Sequence, residues 1–277
     1  FGNAYGGYGS KDRYEGNAMV NRFVNNDQIT FMGGANNTNN MGFSDLASTM
    51  FSGMGGGGGR RGGFGAGSGI TSSGNAGLNF SKEFKPDKLT LGGNTRYSHS
   101  DNDARSKSDR QNILPGDSSS YDNSEAMSRT KSDNFGVDFR LEWKPDTMTQ
   151  LIFRPSFSLS HSMNDNFSDA TTLDNERDTV NTNKSSNYSE SNGYNLNASI
   201  DFSRKLNNKG RVFSATLSGG NSDSYSDGMN RSDIVYFNQT DALKNSIIDQ
   251  RSRYDNKGFN YRAYVSWVEP IGHNNLI

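Results

Sequence analysis

Apolar and polar residues alternate with a period of two along most of this chain. The clearest stretch is Phe135, Val137, Phe139, Leu141 and Trp143 on one side, with Gly136, Asp138, Arg140 and Glu142 on the other. Successive side chains of a β-strand point to opposite faces, so this spacing predicts a strand with one apolar and one charged face. Beyond Lys144-Pro145-Asp146 the pattern resumes with Leu151, Phe153, Pro155, Phe157 and Leu159 against Arg154, Ser156 and Ser158. Pro155 has no N–H for a ladder, and a bulge is expected there. The unit recurs as Ala76, Leu78, Phe80 and Phe84, followed after Lys85-Pro86-Asp87 by Leu89, Leu91, Gly93, Thr95 and Tyr97. Tyr194, Leu196, Ala198, Ile200 and Phe202 face away from Asn195, Asn197, Ser199 and Asp201, and Phe213, Ala215 and Leu217 return. Phe259, Tyr261, Ala263, Val265 and Trp267 oppose Asn260, Arg262, Tyr264 and Ser266. Weaker, glycine-rich segments run from Ala4 to Tyr8, Ala18 to Val24 and Ile29 to Gly33. Together these give about ten strands and the start of another.

The connections are of two kinds. Asn25-Asn26-Asp27, Lys85-Pro86-Asp87, Lys144-Pro145-Asp146, Asn207-Asn208-Lys209 and His273-Asn274-Asn275 are tight turns at near-even spacing. Between them lie long polar segments at 36–73, 100–131, 161–188 and 222–251. Short turns at one end and long loops at the other describe an up-and-down sheet whose ends meet different surroundings, as in bacterial outer-membrane barrels. The fold class expected is therefore all-β: a partial antiparallel up-and-down transmembrane β-barrel of about ten strands, with short periplasmic turns and long extracellular loops, over residues 1–277. A soluble sandwich also alternates; the loop asymmetry and the aromatic positions favour the membrane form. Phe84, Trp143 and Trp267 fall close to the tight turns, whereas Tyr97, Tyr194 and Phe259 fall toward the long-loop ends. Such aromatic girdles bound the apolar band of a barrel. From Phe135 to Trp143 a strand rises about 26 Å, or about 20 Å when tilted, close to a band of about 25 Å.

Composition sharpens this picture. Hydrophobic residues make up only 31% of the 277, yet aromatics reach 11%, with 17 Phe and 12 Tyr. Disordered chains are poor in aromatics; a barrel resolves the conflict, because only its lipid face must be apolar. A net charge of −1 gives no general polyanion-binding surface, and the absence of cysteine excludes disulfides and thiolate metal sites. No apolar run reaches the roughly 20 residues of a membrane helix. The chain opens at Phe1 and stops at Leu276-Ile277 just past a turn, so it is expected to be a fragment lacking a cleaved signal.

Candidate chemistry is sparse. The segment after Asn36 carries Met41, Met50, Met54, a run from Gly55 to Gly59, and Arg60-Arg61-Gly62-Gly63-Phe64. It has no Gly-Lys-Ser/Thr of a phosphate loop, and a single Arg-Gly-Gly-Phe copy on an external loop is a poor nucleic-acid element. It reads as a surface loop in which Arg60, Arg61 and Phe64 are the candidates for touching a ligand. Acidic pairs such as Asp101 and Asp103, Asp174 and Glu176, or Asp223 and Asp227 lack an EF-hand pattern. His99, His161 and His273 lie far apart, and two histidines sharing a rim make a weak metal site. No enzyme activity, cofactor or nucleic-acid partner is expected. The inward polar positions Asp138, Arg140, Glu142, Arg154, Asn195, Asn197, Asp201, Asn260 and Arg262 would line a lumen.

The chain resembles the barrel of TonB-dependent receptors, in particular the outer-membrane β-barrel family of Bacteroidota-type bacteria. The residues that carry the likeness are Ala4-Tyr5-Gly6-Gly7-Tyr8-Gly9, the strand–turn–strand unit from Phe135 to Leu159 around Lys-Pro-Asp, and the Gly/Met-rich loop after Phe31-Met32-Gly33-Gly34. The resemblance covers essentially the whole chain, although its motifs are patterns of composition and loop length. It implies a larger barrel in the outer membrane, occluded by an N-terminal plug, that imports a bulky nutrient with energy from the TonB complex. No plug, TonB-contacting segment or aromatic-ended last strand is present in the sequence. A plug-less porin-like barrel and a surface adhesin anchored by a barrel are the competing expectations.

Overall fold

A computed structural model describes residues 1–39, 69–113, 119–208, 210–237, 245–271 and 275–276. Within them the chain is all-β and runs up and down through one ten-stranded sheet whose strand order follows the sequence. The strands are β1 (Gly2–Tyr8), β2 (Tyr14–Val24), β3 (Asp27–Asn36), β4 (Ile70–Lys85) and β5 (Leu89–Asn112). They continue as β6 (Ser120–Trp143), β7 (Thr149–Leu173), β8 (Thr179–Lys205), β9 (Val212–Tyr236) and β10 (Asn245–Val268). A short pair, β11 (Pro270–Ile271) and β12 (Asn275–Leu276), follows. All neighbours in the large sheet are antiparallel, and β1 and β10 form its two edges. The sheet is consistent with part of a β-barrel. Among the described residues no helix is long and apolar enough to cross a membrane, which says nothing about strands.

The first three tight turns lie where the sequence puts them. Asn25 holds φ at 55° between β2 and β3, and Asp87 holds 59° between β4 and β5. Asn and Asp tolerate this left-handed region better than other side chains with a Cβ. Lys209 and residues 272–274 fall outside the described residues, and with them parts of the last two turns.

Two expectations need correction. The segments 100–131, 161–188 and 222–251 are mostly paired strand: β5 reaches Asn112, β7 reaches Leu173 and β9 reaches Tyr236 before the chain turns. Among the described residues there, the connection 174–178 lies outside the ladders, while 114–118 and 238–244 lie outside the described residues. At 36–73, β3 ends at Asn36 and β4 begins at Ile70, while 40–68 lies outside the described residues. The apolar alternation stops well before the hydrogen-bonded ladder does, because both faces of these outer segments are polar.

The second correction concerns Pro155. The β6–β7 register is the same on either side of it, from Asp138↔Ser156 to Leu141↔Phe153, with no bulge. The rungs opposite Phe139 and Arg140 are missing from that ladder, whereas Pro155 keeps its place opposite Ala198 of β8. Losing rungs on one side costs less than shifting a register that places every side chain. Register shifts occur instead between Glu83 and Lys85 and between Thr172 and Leu173.

Candidate lumenal wall and apolar belt

Residues opposite each other in antiparallel strands share a face, so the register sorts every side chain of the sheet. One cross-strand row reads Tyr97, Phe135, Leu159 and Tyr194. The next reads Leu78, Thr95, Val137, Phe157 and Leu196, and further down come Leu141, Phe153, Ile200 and Leu217. Phe31, Ile29 and Val20 extend this face across β3 and β2, and Tyr261, Ala263 and Val265 extend it across β10. These rows make a continuous apolar belt over the sheet.

The belt is exposed. Phe31 keeps 50% of its accessible surface, Leu217 55%, Phe259 76% and Tyr261 79%. The most buried positions lie on the other face and are mainly polar: Thr30 at 1%, Asn21 at 4% and Asn94 at 4%, with Met32 at 2% the one buried apolar residue among those described. Asn17, Asn79 and Asn94 share that face with them by register. Such burial marks the polar face as the concave side of β2 to β5. The arrangement inverts a water-soluble domain, in which a contiguous apolar patch rarely exceeds a few hundred Å². Covering a fully exposed Val, Leu, Ile or Phe is worth about 1.5–3 kcal/mol, so the half-exposed members of the belt gain about half of that from an apolar medium.

Packing within the belt depends on one glycine. Gly93 sits in a row between Phe80 and Phe139, whose ring centroids lie 6.3 Å apart edge to face. A Cβ at Gly93 would stand 2.6 Å from the Phe139 ring and 3.0 Å from that of Phe80. The two rings close over the glycine and cover its bare backbone.

The polar face gathers the lumen-facing candidates. Asp138, Asn197 and Asn260 fall in one cross-strand row through Ser156 and Gly220. Arg154 and Arg262 fall in the next through Ser199 and Ser218, and Arg140 occupies the corresponding position of β6. Glu142 and Asp201 share a row through Ile152, and Asn195 lies opposite Ser158. Arg154 hydrogen-bonds Asp201, which also accepts a 2.8 Å bond from the Thr216 hydroxyl. Glu142 accepts from Arg140 at 3.1 Å and from Gln150 at 2.8 Å, and Lys144 lies 2.8 Å away. Arg96 donates to Asp138 at 2.8 Å. Arg96 was absent from the expected set, although its place between Thr95 and Tyr97 in the alternation marks it as inward. The chemistry available is that of a polar face on which Arg96, Arg140 and Arg154 each meet a carboxylate.

The expected girdle residues sit at the limits of the belt. Tyr97 and Tyr194 occupy its upper row, with Phe259 one row lower; above them the same face turns polar through His99, Asp133, His161 and Asn192. At the turn end, Trp143 pairs with Leu151 and Trp267 with Phe213, whose rings meet at 6.3 Å, and Phe84 is 53% exposed. A cavity of about 550 Å³ opens at the upper limit between Tyr97, Phe135, Leu159 and Tyr194. His99 Nδ1 lies 2.8 Å from Asp133 and His161 Nδ1 2.8 Å from Asn192. Among the described residues no three His, Asp or Glu side chains gather as a metal set. Arg60, Arg61, Phe64 and His273 lie outside the described residues.

Above the belt the outward face carries ion pairs. Arg129 donates twice to Asp101, at 3.0 and 2.7 Å, and these bonds hold the Asp101 carboxyl below the ordinary carboxylate range. Arg251 does the same for Asp227 at 3.1 and 2.5 Å. In the turn after β6, the Met148 N–H donated to Asp146 at 2.8 Å depresses that carboxyl too.

No protein-family model matches the chain, and no curated protein matches it. Among solved structures it is similar to the ferric yersiniabactin uptake receptor FyuA from Yersinia pestis, at 11% identity and a TM-score of 0.22. That match covers 95% of this chain and 44% of the receptor. A second is to the copper transporter OprC, at 6% identity and a TM-score of 0.20, over 95% of this chain and 57% of the transporter. A third is to OccAB2 from Acinetobacter baumannii, at 8% identity and a TM-score of 0.14, over 96% of each chain. The chain thus spans about half the length of the first two. Likeness at TM-scores this low carries no argument, and the functional reading rests on the sheet and the sequence.

Proposed function

We propose that this chain is part of the barrel wall of an outer-membrane transporter of the TonB-dependent receptor kind, which imports a bulky nutrient. The observation that carries the membrane half of this reading is the inverted sheet, with its apolar belt outside and its buried polar residues inside. Hydrocarbon admits only structures that satisfy their backbone internally, and an up-and-down β-sheet does so everywhere except at its edges. Closing edges β1 and β10 onto further strands of a longer protein completes the barrel in this proposal. The transport half is supported by the sequence resemblance and by the charged inner wall around Arg96, Asp138, Arg154 and Asp201, against which a plug can pack. The proposed partners are outer-membrane lipid, a plug domain, the TonB complex and the nutrient.

The test is reconstitution of the full-length protein into phospholipid vesicles, followed by osmotic swelling in a small sugar. Insertion without swelling is the expected result, because a plug blocks passive flow. Insertion with rapid swelling would replace this reading with a plug-less porin. Failure of correctly folded protein to insert would remove the membrane assignment altogether.

A further inference from the structure

The apolar belt has two borders, and they carry opposite charge. At the loop end, the row of Tyr97 and Tyr194 and the row above it hold Asp133, Asp223 and Asp255 against Lys257, besides His99 and His161. At the turn end, Arg22, Lys82, Lys85 and Arg204 each lie at or just before a tight turn. Register puts all four on the apolar face: Arg22 opposite Ile29, Lys82 opposite Leu91, Lys85 opposite Leu89 and Arg204 opposite Phe213. Asp27 faces the same way, and Arg211 and Glu269 neutralise each other through bonds of 3.1 and 2.8 Å. From Leu89 to Tyr97 β5 rises about 26 Å, close to the apolar band once tilted. The two borders therefore stand at the two headgroup levels.

Two observations separate the turn-end cations from ordinary solvated ones. Long basic side chains beside an apolar surface lay their stems on it and keep the charged head in water, but that habit would place cations at both borders. The loop-end border is acidic instead. The carboxylates near the turns also spend their oxygens within the protein. Glu83 accepts from the Asp87 N–H at 2.6 Å, and Asp27 accepts from the Glu83 N–H at 3.1 Å while Lys82 stays 3.9 Å away. Asp146, whose carboxyl feels the Arg204 charge, accepts from the Met148 N–H at 2.8 Å and the Thr149 hydroxyl at 3.2 Å. Asp87 has Lys88 beside it in its turn. The exposed side chains of Arg22, Lys85 and Arg204 make no ion pair or hydrogen bond among the described residues.

We infer that the turn-end border binds the phosphate headgroups of anionic phospholipid through Arg22, Lys82, Lys85 and Arg204. A guanidinium fork matches two phosphate oxygens, and an ammonium adds a point charge. The acyl chains then lie on Ile29, Leu91 and Phe202, so head and tail of one molecule meet the two chemistries that adjoin here. β2 and β4 stand about 10 Å apart, and β8 lies beyond β5, β6 and β7. The border thus seats several lipids in a row. The inference rests on the barrel reading, because only a barrel sets this face against a bilayer. It deepens that reading by naming the class of lipid and the side on which it is held.

The test uses full-length protein in phosphatidylcholine vesicles, with insertion checked separately by protease protection. A fluorophore is carried by Phe202→Cys or Leu89→Cys, beside the turn-end cations, or by Tyr194→Cys at the loop end. Spin-labelled phosphatidylglycerol and spin-labelled phosphatidylcholine, at equal fractions, are the two probes. Phosphatidylglycerol should quench at Phe202 and Leu89 at least about threefold more strongly than phosphatidylcholine, and should show no such preference at Tyr194. Arg22→Gln, Lys85→Gln and Arg204→Gln together should abolish the preference. Arg22→Lys with Arg204→Lys should retain it, which separates loss of charge from damage to the fold. Inserted protein that is quenched equally by both lipids, shows the same preference at Tyr194 or keeps its preference in the triple variant would overturn the lipid inference while leaving the barrel standing. Protein that fails to insert overturns both.

Discussion

At the scale of single residues, Gly93 and Asp101 yield the sharpest expectations. Gly93→Ala places a methyl 2.6 Å from the Phe139 ring, an overpacking that should cost about 1–3 kcal/mol of folding stability. Urea unfolding in vesicles measures it, and an unchanged midpoint would show that the two rings do not close over this position. Asp101 has a depressed folded-state pKa, first through its hydrogen bonds from Arg129. Its contribution is therefore complete above the unfolded carboxylate value of about 3.9 and is lost as pH falls through the lower folded value. Pepsin cleavage of the β5–β6 hairpin should accelerate only below about pH 4, and Asp101→Asn should remove that step. Single residues also mark what sequence reading reaches. Asp138, Arg154 and Asp201 were legible as members of one polar face because apolar neighbours flank each of them. The pairing of Asp138 with Arg96 was not, since it joins strands whose register no local pattern specifies. The burial of Asn17, Asn21 and Thr30 was equally hidden, because small polar residues carry no periodic signal.

At the scale of elements, the strands outrun their own pattern. Alternation is visible where the two faces meet different media, as between Phe135 and Trp143. Between 100 and 131 both faces meet water, the contrast vanishes, and the sequence reads as loop although the ladder continues to Asn112 and from Ser120. A strand of 24 residues such as β5 is about 80 Å long. At a tilt of about 40° it stands about 60 Å tall, well beyond an apolar band of about 25 Å. Hydrogen exchange should show slow amides at 98–111 and 121–134 in vesicles; fast exchange throughout would return these segments to loops. Within the belt, Ile200→Arg should destabilise by about 2–4 kcal/mol near the band's middle, whereas Asn197→Arg, three positions earlier on the polar face, should fall within about 0.5 kcal/mol. Equal effects would argue against two media.

At the scale of the whole molecule, the inverted sheet distinguishes the proposed barrel from a soluble sandwich. Its apolar face keeps large side chains bare while its concave face buries Asn and Thr, so its stability depends on what covers the belt. The absence of cysteine makes the medium directly readable, because a single introduced thiol can carry a reporter. Cysteines placed one at a time from 194 to 202 on β8, labelled with an environment-sensitive fluorophore in vesicles containing spin-labelled lipid, test the belt position by position. Quenching at Tyr194, Leu196, Ala198, Ile200 and Phe202, with little at Asn195, Asn197, Ser199 and Asp201, is the expected result. Quenching without a period of two, or strongest at the polar positions, would contradict a lipid-facing belt and the barrel built on it.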